Sequence, residues 1–233
     1  MAKKKITRKQ LLKGPDEFLT FSGRAANFFT DHPREVRFAG VAVIAIAIIY
    51  LAVNTYTGSV NKMGQNAYNV AYNNLLENIK PDTGLENLRK SEELFTAVTD
   101  EYGLSRASLL ALPQIAHIKF LDKRYDESIE FYGDFMDRVS GRAQYESLAR
   151  LALAACYEAK GDLKMAIGLL ERVVEEFDNP FKEEGMLSLA RVYRLDNKLE
   201  EATSILKEFV DEYKASPFLP VAEAHLGQLL TGN

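Results

Sequence analysis

Residues that could perform chemistry are few in this sequence and lie far apart. The three histidines, His32, His117 and His225, fall in separate segments, and none has a cysteine, histidine or carboxylate at a spacing typical of a metal site. Cys156 is the only cysteine, so no intrachain disulfide can form, and its alanine-rich surroundings favour a buried structural residue. No glycine-rich phosphate loop or Gly-x-Ser-x-Gly turn occurs. The sequence therefore predicts a protein that is not an enzyme and that has no metal site and no cofactor.

One pair of charged residues has a spacing suited to binding rather than catalysis. Arg191 and Arg194 are three residues apart, so on a helix they lie on one face and could together hold a carboxylate or an acidic peptide. The alternative is an exposed basic face without a ligand. The choice between the two depends on the elements that surround these arginines.

Charge is distributed unevenly over the 233 residues. Residues 1–37 hold 9 of the 29 basic residues but only 4 of the 33 acidic ones, so a basic head precedes an acidic body. Such a head suits an anionic membrane surface. The acidic body argues against binding to nucleic acid.

Residues 38–56 contain no charged side chain and only a few polar ones near their end. At about 1.5 Å per residue, a helix of this length nearly covers the roughly 30 Å hydrocarbon layer. A cleaved signal peptide fits less well, because the region before it is long and no clear small-x-small site follows Val53. Lys62 is the only basic residue in the first twenty after the segment, so the basic head should stay in the cytoplasm and the body should be exported.

Residues 15–32 form a separate signal before the span. Phenylalanines recur there at near-helical spacing after Pro15 and two acidic residues, which predicts a short amphipathic helix. Next to a span, such a helix could lie in the headgroup layer and contact membrane lipid. The alternative is a cytoplasmic site for a partner protein.

Four copies of a helix–turn–helix pattern follow the span. They run over residues 66–102, 106–139, 145–177 and 183–213. Each copy has a small residue where its two helices would approach most closely, and these residues are Ser91, Ser128, Ala166 and Ala202. Their spacings are 37, 38 and 36 residues, somewhat more than the roughly 34 of the commonest helical-hairpin repeat. The turns of the last two copies are predicted at residues 161–162 and 196–197.

The third and fourth copies carry a family resemblance. The set Leu153, Ala154, Tyr157, Gly161, Asp162, Ala166 and Leu170 resembles the tetratricopeptide repeat, and the set Leu189, Ala190, Tyr193, Ala202, Leu206 and Phe209 repeats it. The resemblance implies a tetratricopeptide-like α-solenoid of about four helical hairpins and a C-terminal capping helix. Together with the N-terminal transmembrane helix predicted above, the expected fold class is all-α. The expected domains are a cytoplasmic head at 1–37, the span at 38–56 and the repeat domain at 57–233.

Tetratricopeptide arrays bind other proteins in a groove lined by the first helix of each hairpin. The residues expected to face that groove are His117, Phe120, Leu151, Glu158, Leu187, Arg191 and Arg194. The Lys and Asn side chains with which some family members clamp chaperone C-termini are replaced here by Pro113, Leu151 and Ala155. That particular binding mode is therefore not predicted.

The layout as a whole also resembles the bacterial ancillary SecYEG translocon subunit family. A Phe28–Phe29 pair precedes one span, and exported repeats follow it. The resemblance implies a single-pass protein of the bacterial inner membrane with a periplasmic repeat domain, whose partners would be the SecYEG translocon and periplasmic chaperones. The leading hypothesis is thus a tethered protein-binding adaptor. The alternative is a self-associating scaffold of an envelope complex for division or outer-membrane assembly.

Overall fold

The computed structural model describes residues 23, 28, 30–79 and 85–231. The basic head and the amphipathic helix predicted at 15–32 lie largely outside the described residues, and the connection at 80–84 lies wholly outside them. The described residues form nine helices and no strand. They are α1 Pro33–Asn78, α2 Leu85–Glu101, α3 Arg106–Leu121, α4 Tyr125–Arg138, α5 Ala143–Lys160, α6 Leu163–Glu175, α7 Lys182–Leu195, α8 Leu199–Glu212 and α9 Leu219–Thr231. The predicted all-α fold class is confirmed.

The chain divides into two compact units, Met1–Tyr56 and Thr57–Asn233. In the first unit, α1 begins at Pro33, whose fixed φ suits the first helical position, and Glu35 lies in its positive first turn. Among the described helices, only α1 is long and apolar enough to cross a membrane. An 18-residue window of it has a mean hydropathy of 2.5, and none of that window is buried. By length and composition it could span a bilayer.

The second unit contains the helical hairpins. Hairpin 1 consists of residues 66–78 of α1 and the whole of α2, and hairpins 2, 3 and 4 are α3–α4, α5–α6 and α7–α8. Each helix from α2 to α9 packs against the next helix in sequence. This arrangement is typical of repeat proteins, in which each unit completes the core of its neighbour.

The small residues at the predicted crossings are all fully buried. Ser91, Ser128, Ala166 and Ala202 each have no exposed surface. The Ser91 hydroxyl donates a 2.8 Å hydrogen bond to Asn74 Oδ1, and the Ser128 hydroxyl donates a 2.7 Å bond to the carbonyl of Ala116. Both buried hydroxyls are thereby satisfied. The predicted register of the repeats is confirmed.

Turn residues end the helices where the sequence predicts. Gly161 closes α5 with φ of +82°, a left-handed conformation that glycine adopts without strain. Asp162 then begins α6, and its side chain accepts a 3.3 Å hydrogen bond from the backbone N–H of Met165. In hairpin 4 the corresponding left-handed residue is Asn197, with φ of +59°. These short turns make the two helices of hairpin 3, and those of hairpin 4, antiparallel neighbours.

Candidate functional site

The first helices of hairpins 2, 3 and 4 form the face predicted to bind partners, which we call the groove face. On α5 and α7 an apolar residue is followed seven positions later by a charged one, and these pairs, Leu151 with Glu158 and Leu187 with Arg194, occupy the same repeat positions. The same two positions of α3 hold Pro113 and Phe120. Residues seven apart lie on the same side of a helix, two turns from each other. Between hairpins 3 and 4 this order aligns an apolar position with an apolar one and a charged position with a charged one.

An ion pair joins two of the predicted residues. Arg191 Nη2 on α7 lies 3.1 Å from Glu158 Oε2 on α5. The Arg191 side chain is half exposed, whereas that of Glu158 is mostly covered. The structure therefore supplies Arg191 with a carboxylate from the neighbouring hairpin, and Arg191 and Arg194 do not form a free pair.

Arg194 contacts a residue of α9 instead of α5. Its Nη1 atom donates a long, 3.5 Å hydrogen bond to Gln228 Oε1 on α9. Within the described part of the chain it has no ion pair, and its side chain is exposed. Arg194 is therefore the cation of the predicted pair that remains available at the end of the groove face.

Leu151 and Leu187, two other predicted groove residues, take part in packing. Leu151 packs against the buried cluster around Ala154 and Leu189, and Leu187 packs against the cluster around Met186 and Phe209. Both side chains remain partly exposed. Their apolar surface is therefore shared between the core and the face.

His117 and Phe120 are both partly buried on α3. Burial lowers the pKa of the His117 imidazole below its usual 6.5, so this side chain is neutral at pH 7. The Phe120 ring lies 5.6 Å from that of Tyr125 and packs against the buried cluster containing Leu153 and Cys156. Phe120 thus contributes more to the contact between hairpins 2 and 3 than to an open surface.

The structure contains a buried ionic cluster between hairpins 1 and 2 that was not predicted from the sequence. Lys119 on α3 is almost fully buried, and its Nζ atom lies 2.8 Å from Glu92 Oε1 and 2.6 Å from Glu127 Oε2. Arg124 also pairs with Glu92. Lys119 occupies the repeat position of Tyr157 and Tyr193. A lysine at a position that is aromatic in the next two hairpins was the one feature of the sequence that could have indicated this cluster. The cluster fixes hairpin 2 on hairpin 1.

Among the described residues we find neither a metal site nor a reactive cysteine. No group of three or more His, Cys, Asp or Glu side chains there could hold a metal ion. Cys156 is fully buried, and burial raises the pKa of its thiol above 9.0, although a hydrogen-bond contact of 3.3 Å with Ser128 opposes the rise. It is held as an unreactive core residue.

Comparison with known proteins agrees with this geometry. Residues 148–180 match the tetratricopeptide repeat family, and they cover most of hairpin 3 and the start of the loop after it. Hairpin 3 is thus similar in sequence to a tetratricopeptide repeat. No curated protein matches the chain.

Solved structures show the same fold. One is the crystal structure of the nearly identical TPR-like repeats of a kinesin light chain candidate from Podosopora anserina, and another is a variant of it. Both are 17% identical to this chain and cover 72% of it, with TM-scores of 0.57 and 0.58. The match extends over 86% and 85% of those chains, respectively. At this identity the likeness concerns the fold, which is that of a tetratricopeptide solenoid.

Proposed function

We propose that this protein is a membrane-anchored adaptor whose repeat domain binds partner proteins on the groove face. The observation that carries the proposal is the set of apolar side chains that remain exposed on α3, α5 and α7, the first helices of hairpins 2, 3 and 4. These side chains are Leu110, Leu148 and Leu195, and the last is 54% exposed. Apolar side chains next to a polar rim are the usual composition of a protein interface.

In this proposal, the membrane anchor is the apolar part of α1. Its apolar residues between 38 and 56 are exposed in the fold, including Phe38, Ile44 and Tyr50, and water does not accommodate so many of them on one helix. The basic head then stays in the cytoplasm and the repeat domain, residues 57–233, is exported. Tethering raises the effective concentration of the groove face near other membrane proteins, so that weak contacts suffice.

The layout and the family resemblance favour the bacterial inner membrane, with the SecYEG translocon and periplasmic chaperones as partners. In this proposal the adaptor carries out no turnover. It holds a partner, or a newly translocated segment, close to the exit of the export channel. A stable oligomer of the purified protein in detergent would instead favour the alternative of a structural scaffold.

Site-specific photocrosslinking in cells tests the binding surface. A photoreactive phenylalanine analogue placed at Leu148 or at Leu195 should capture the same protein, identified by mass spectrometry. The same analogue at Glu208, which is exposed on the second helix of hairpin 4, serves as the control and should not capture it. If the two groove positions share no product, or if Glu208 gives the same product, the groove face is not the binding surface.

Thiol labelling tests the direction of insertion separately. Phe177 lies in the loop after α6 and is 98% exposed, so a cysteine there is accessible, whereas Cys156 is buried. In a Cys156→Ala background, Phe177→Cys should react with a membrane-impermeant maleimide added to intact spheroplasts. A Lys3→Cys variant in the head should react only after lysis. The reverse pattern would place the repeat domain in the cytoplasm.

A further inference from the structure

A cavity with two arginines lies between hairpins 2 and 3, apart from the predicted groove residues. Its volume is about 410 Å³, within the roughly 300–1,000 Å³ of small-ligand pockets. Its walls are Leu109, Leu110, Phe135, Val139 and Tyr145, together with Arg106 and Arg142. The rings of Phe135 and Tyr145 meet edge to face at 6.4 Å and form one side. The cavity is therefore apolar inside and positively charged at two points.

Local structure fixes the two arginines on different elements. Arg106 is the first residue of α3, and its backbone N–H donates a 2.9 Å hydrogen bond to Asn61 Oδ1. Arg142 precedes α5 and follows Gly141, whose φ of +82° turns the chain between α4 and α5. The cations thus reach the cavity from two separate walls.

Neither guanidinium has an ion pair within the described part of the chain. The nearest carboxylate in sequence to Arg142 is engaged elsewhere, because Glu146 accepts a 2.7 Å hydrogen bond from the Gly141 N–H and pairs with Arg150 at 2.6 Å. Arginines that flank an apolar cavity without a counter-ion attract carboxylates, which they bind with strong charge-assisted hydrogen bonds.

The corresponding junction between hairpins 3 and 4 is built differently. Ser147 lies there at the repeat position of Leu109, and its hydroxyl donates to Glu176 Oε2 at 2.7 Å and accepts from Asn179 Nδ2 at 3.1 Å. The cavity at that junction is lined by acidic residues, including Glu175, Asp178 and Glu183. The cationic cavity is therefore a property of one junction and not of the repeat in general.

We infer that the cavity between Arg106 and Arg142 binds a partner segment in which an apolar side chain is flanked by two acidic residues. The apolar side chain fills the space beside Phe135 and Tyr145, and each carboxylate pairs with one arginine. The two arginines lie on separate walls of the cavity, so each can pair with one of two carboxylates that flank the apolar side chain. A peptide C-terminus offers only one carboxylate, on one side of its last residue, and could pair with only one of them. The inference rests on the proposed function only in treating the repeat domain as a protein-binding module.

Fluorescence polarisation with full-length protein in detergent tests the inference. The probe is a fluorescein-labelled Gly-Ser-Glu-Phe-Glu-Ser-Gly amide, and it should bind with an affinity that falls as salt is raised. Peptides with Gln-Phe-Gln or Glu-Ala-Glu at the centre, and a peptide ending in Ser-Phe with a free carboxylate, should each bind at least about fivefold more weakly. Equal binding of the Gln-Phe-Gln peptide, or tighter binding of the free-carboxylate peptide, would overturn the assignment.

Variants of the protein localise the site. Arg106→Gln and Arg142→Gln should each weaken binding of the probe by about fivefold, and the double variant by more. Arg138→Gln, which changes an exposed arginine of α4 outside the cavity, should leave binding unchanged. Circular dichroism melts of all four proteins check that the fold is kept. Unchanged affinity in the double variant would overturn the inference, while the crosslinking from Leu148 and Leu195 decides the proposed function independently.

Discussion

Glu158 on α5 and Arg191 on α7 form a 3.1 Å ion pair between the first helices of consecutive hairpins. The contact places a carboxylate of the protein itself where an acidic partner would otherwise bind Arg191. A partner that uses Arg191 must therefore displace Glu158, which lowers its affinity by the free energy of the pair.

Removing that internal competitor should expose the cation. We expect Glu158→Gln to increase crosslinking of an acidic partner from the Leu195 position. Because Arg191 is half exposed, the change should lower the free energy of unfolding by less than about 1 kcal/mol. Glu208→Gln is the control, and it should alter neither quantity. A loss of crosslinking in Glu158→Gln would mean that the carboxylate itself contacts the partner.

The crossing residues should not tolerate large side chains. Ala166 is fully buried where α5 and α6 approach, so Ala166→Leu should lower the free energy of unfolding by about 1–3 kcal/mol through overpacking. Ala159→Leu introduces the same side chain at an exposed position of α5 and should have little effect. Thermal melting followed by circular dichroism measures both, and equal melting temperatures would contradict the close approach at Ala166.

Gly64 is a second position at which a side chain has no room. An added Cβ would lie 2.5 Å from Ser105 Oγ and 2.9 Å from Ser105 Cβ. Gly64→Ala should therefore lower the melting temperature, although alanine ordinarily favours a helix over glycine by about 1 kcal/mol. Gly58→Ala, which meets nothing within 4 Å, should raise it. A Ser105→Gly change in the Gly64→Ala background should restore part of the loss, and a strictly additive double variant would contradict the clash.

Acid should weaken the junction of hairpins 1 and 2 through Glu92. Burial opposes ionisation of this carboxyl, but hydrogen bonds from Arg124 and Lys119 outweigh it and hold its pKa below the usual 4.5. A carboxyl with a lowered pKa stabilises the fold above the pKa of the unfolded chain, and this contribution is lost as the pH falls through the folded pKa. The melting temperature should therefore decline from about pH 4.5 downwards.

The Glu92→Gln variant isolates this contribution. It leaves Lys119 buried with a weaker partner, so the free energy of unfolding at pH 7 should fall by an amount on the order of 2 kcal/mol. Its melting temperature should also change less between pH 5 and pH 3 than that of the unaltered protein. Parallel pH curves for the two proteins would show that Glu92 is not responsible for the acid sensitivity.

Cys156 should report on the integrity of the third hairpin. Its thiol is buried against Ser128 and its pKa is raised, so reaction with a thiol reagent at pH 7.5 should be slow in the native state and fast in denaturant. Ala166→Leu should accelerate the reaction, because it opens the packing around the same hairpin. Rapid labelling of the native protein would contradict the buried position.

The repeat register could be predicted because it depends on local patterns. A small residue at each helix crossing and turn residues such as Gly161 and Asn197 are required within one hairpin, so they are visible in a single stretch of sequence. The extent of α1 was less evident. Gly58 and Gly64 weaken a helix on their own, and only the close approach of Ser105 shows why Gly64 lies within one.

Contacts between hairpins could not be read in the same way. Glu158 and Arg191 are separated by a whole repeat, and their pairing depends on how far one hairpin is rotated against the next. The cluster around Lys119 likewise combines side chains of α2, α3 and α4. Which residues face a binding groove remains a prediction from the sequence, and the ion-pair partners of Arg191 and Lys119 became evident only from the stacking of the hairpins.

Because each helix from α2 to α9 packs against the next one in sequence, the repeat domain has a low contact order. Such a chain does not need its C-terminus in order to begin folding. If, as proposed, the basic head stays in the cytoplasm and the repeat domain is exported, hairpin 1 emerges first and can close as soon as α2 has emerged, and every later hairpin then packs on one that is already folded. The linear order of the repeats would thus allow the domain to fold while its C-terminal part is still being exported.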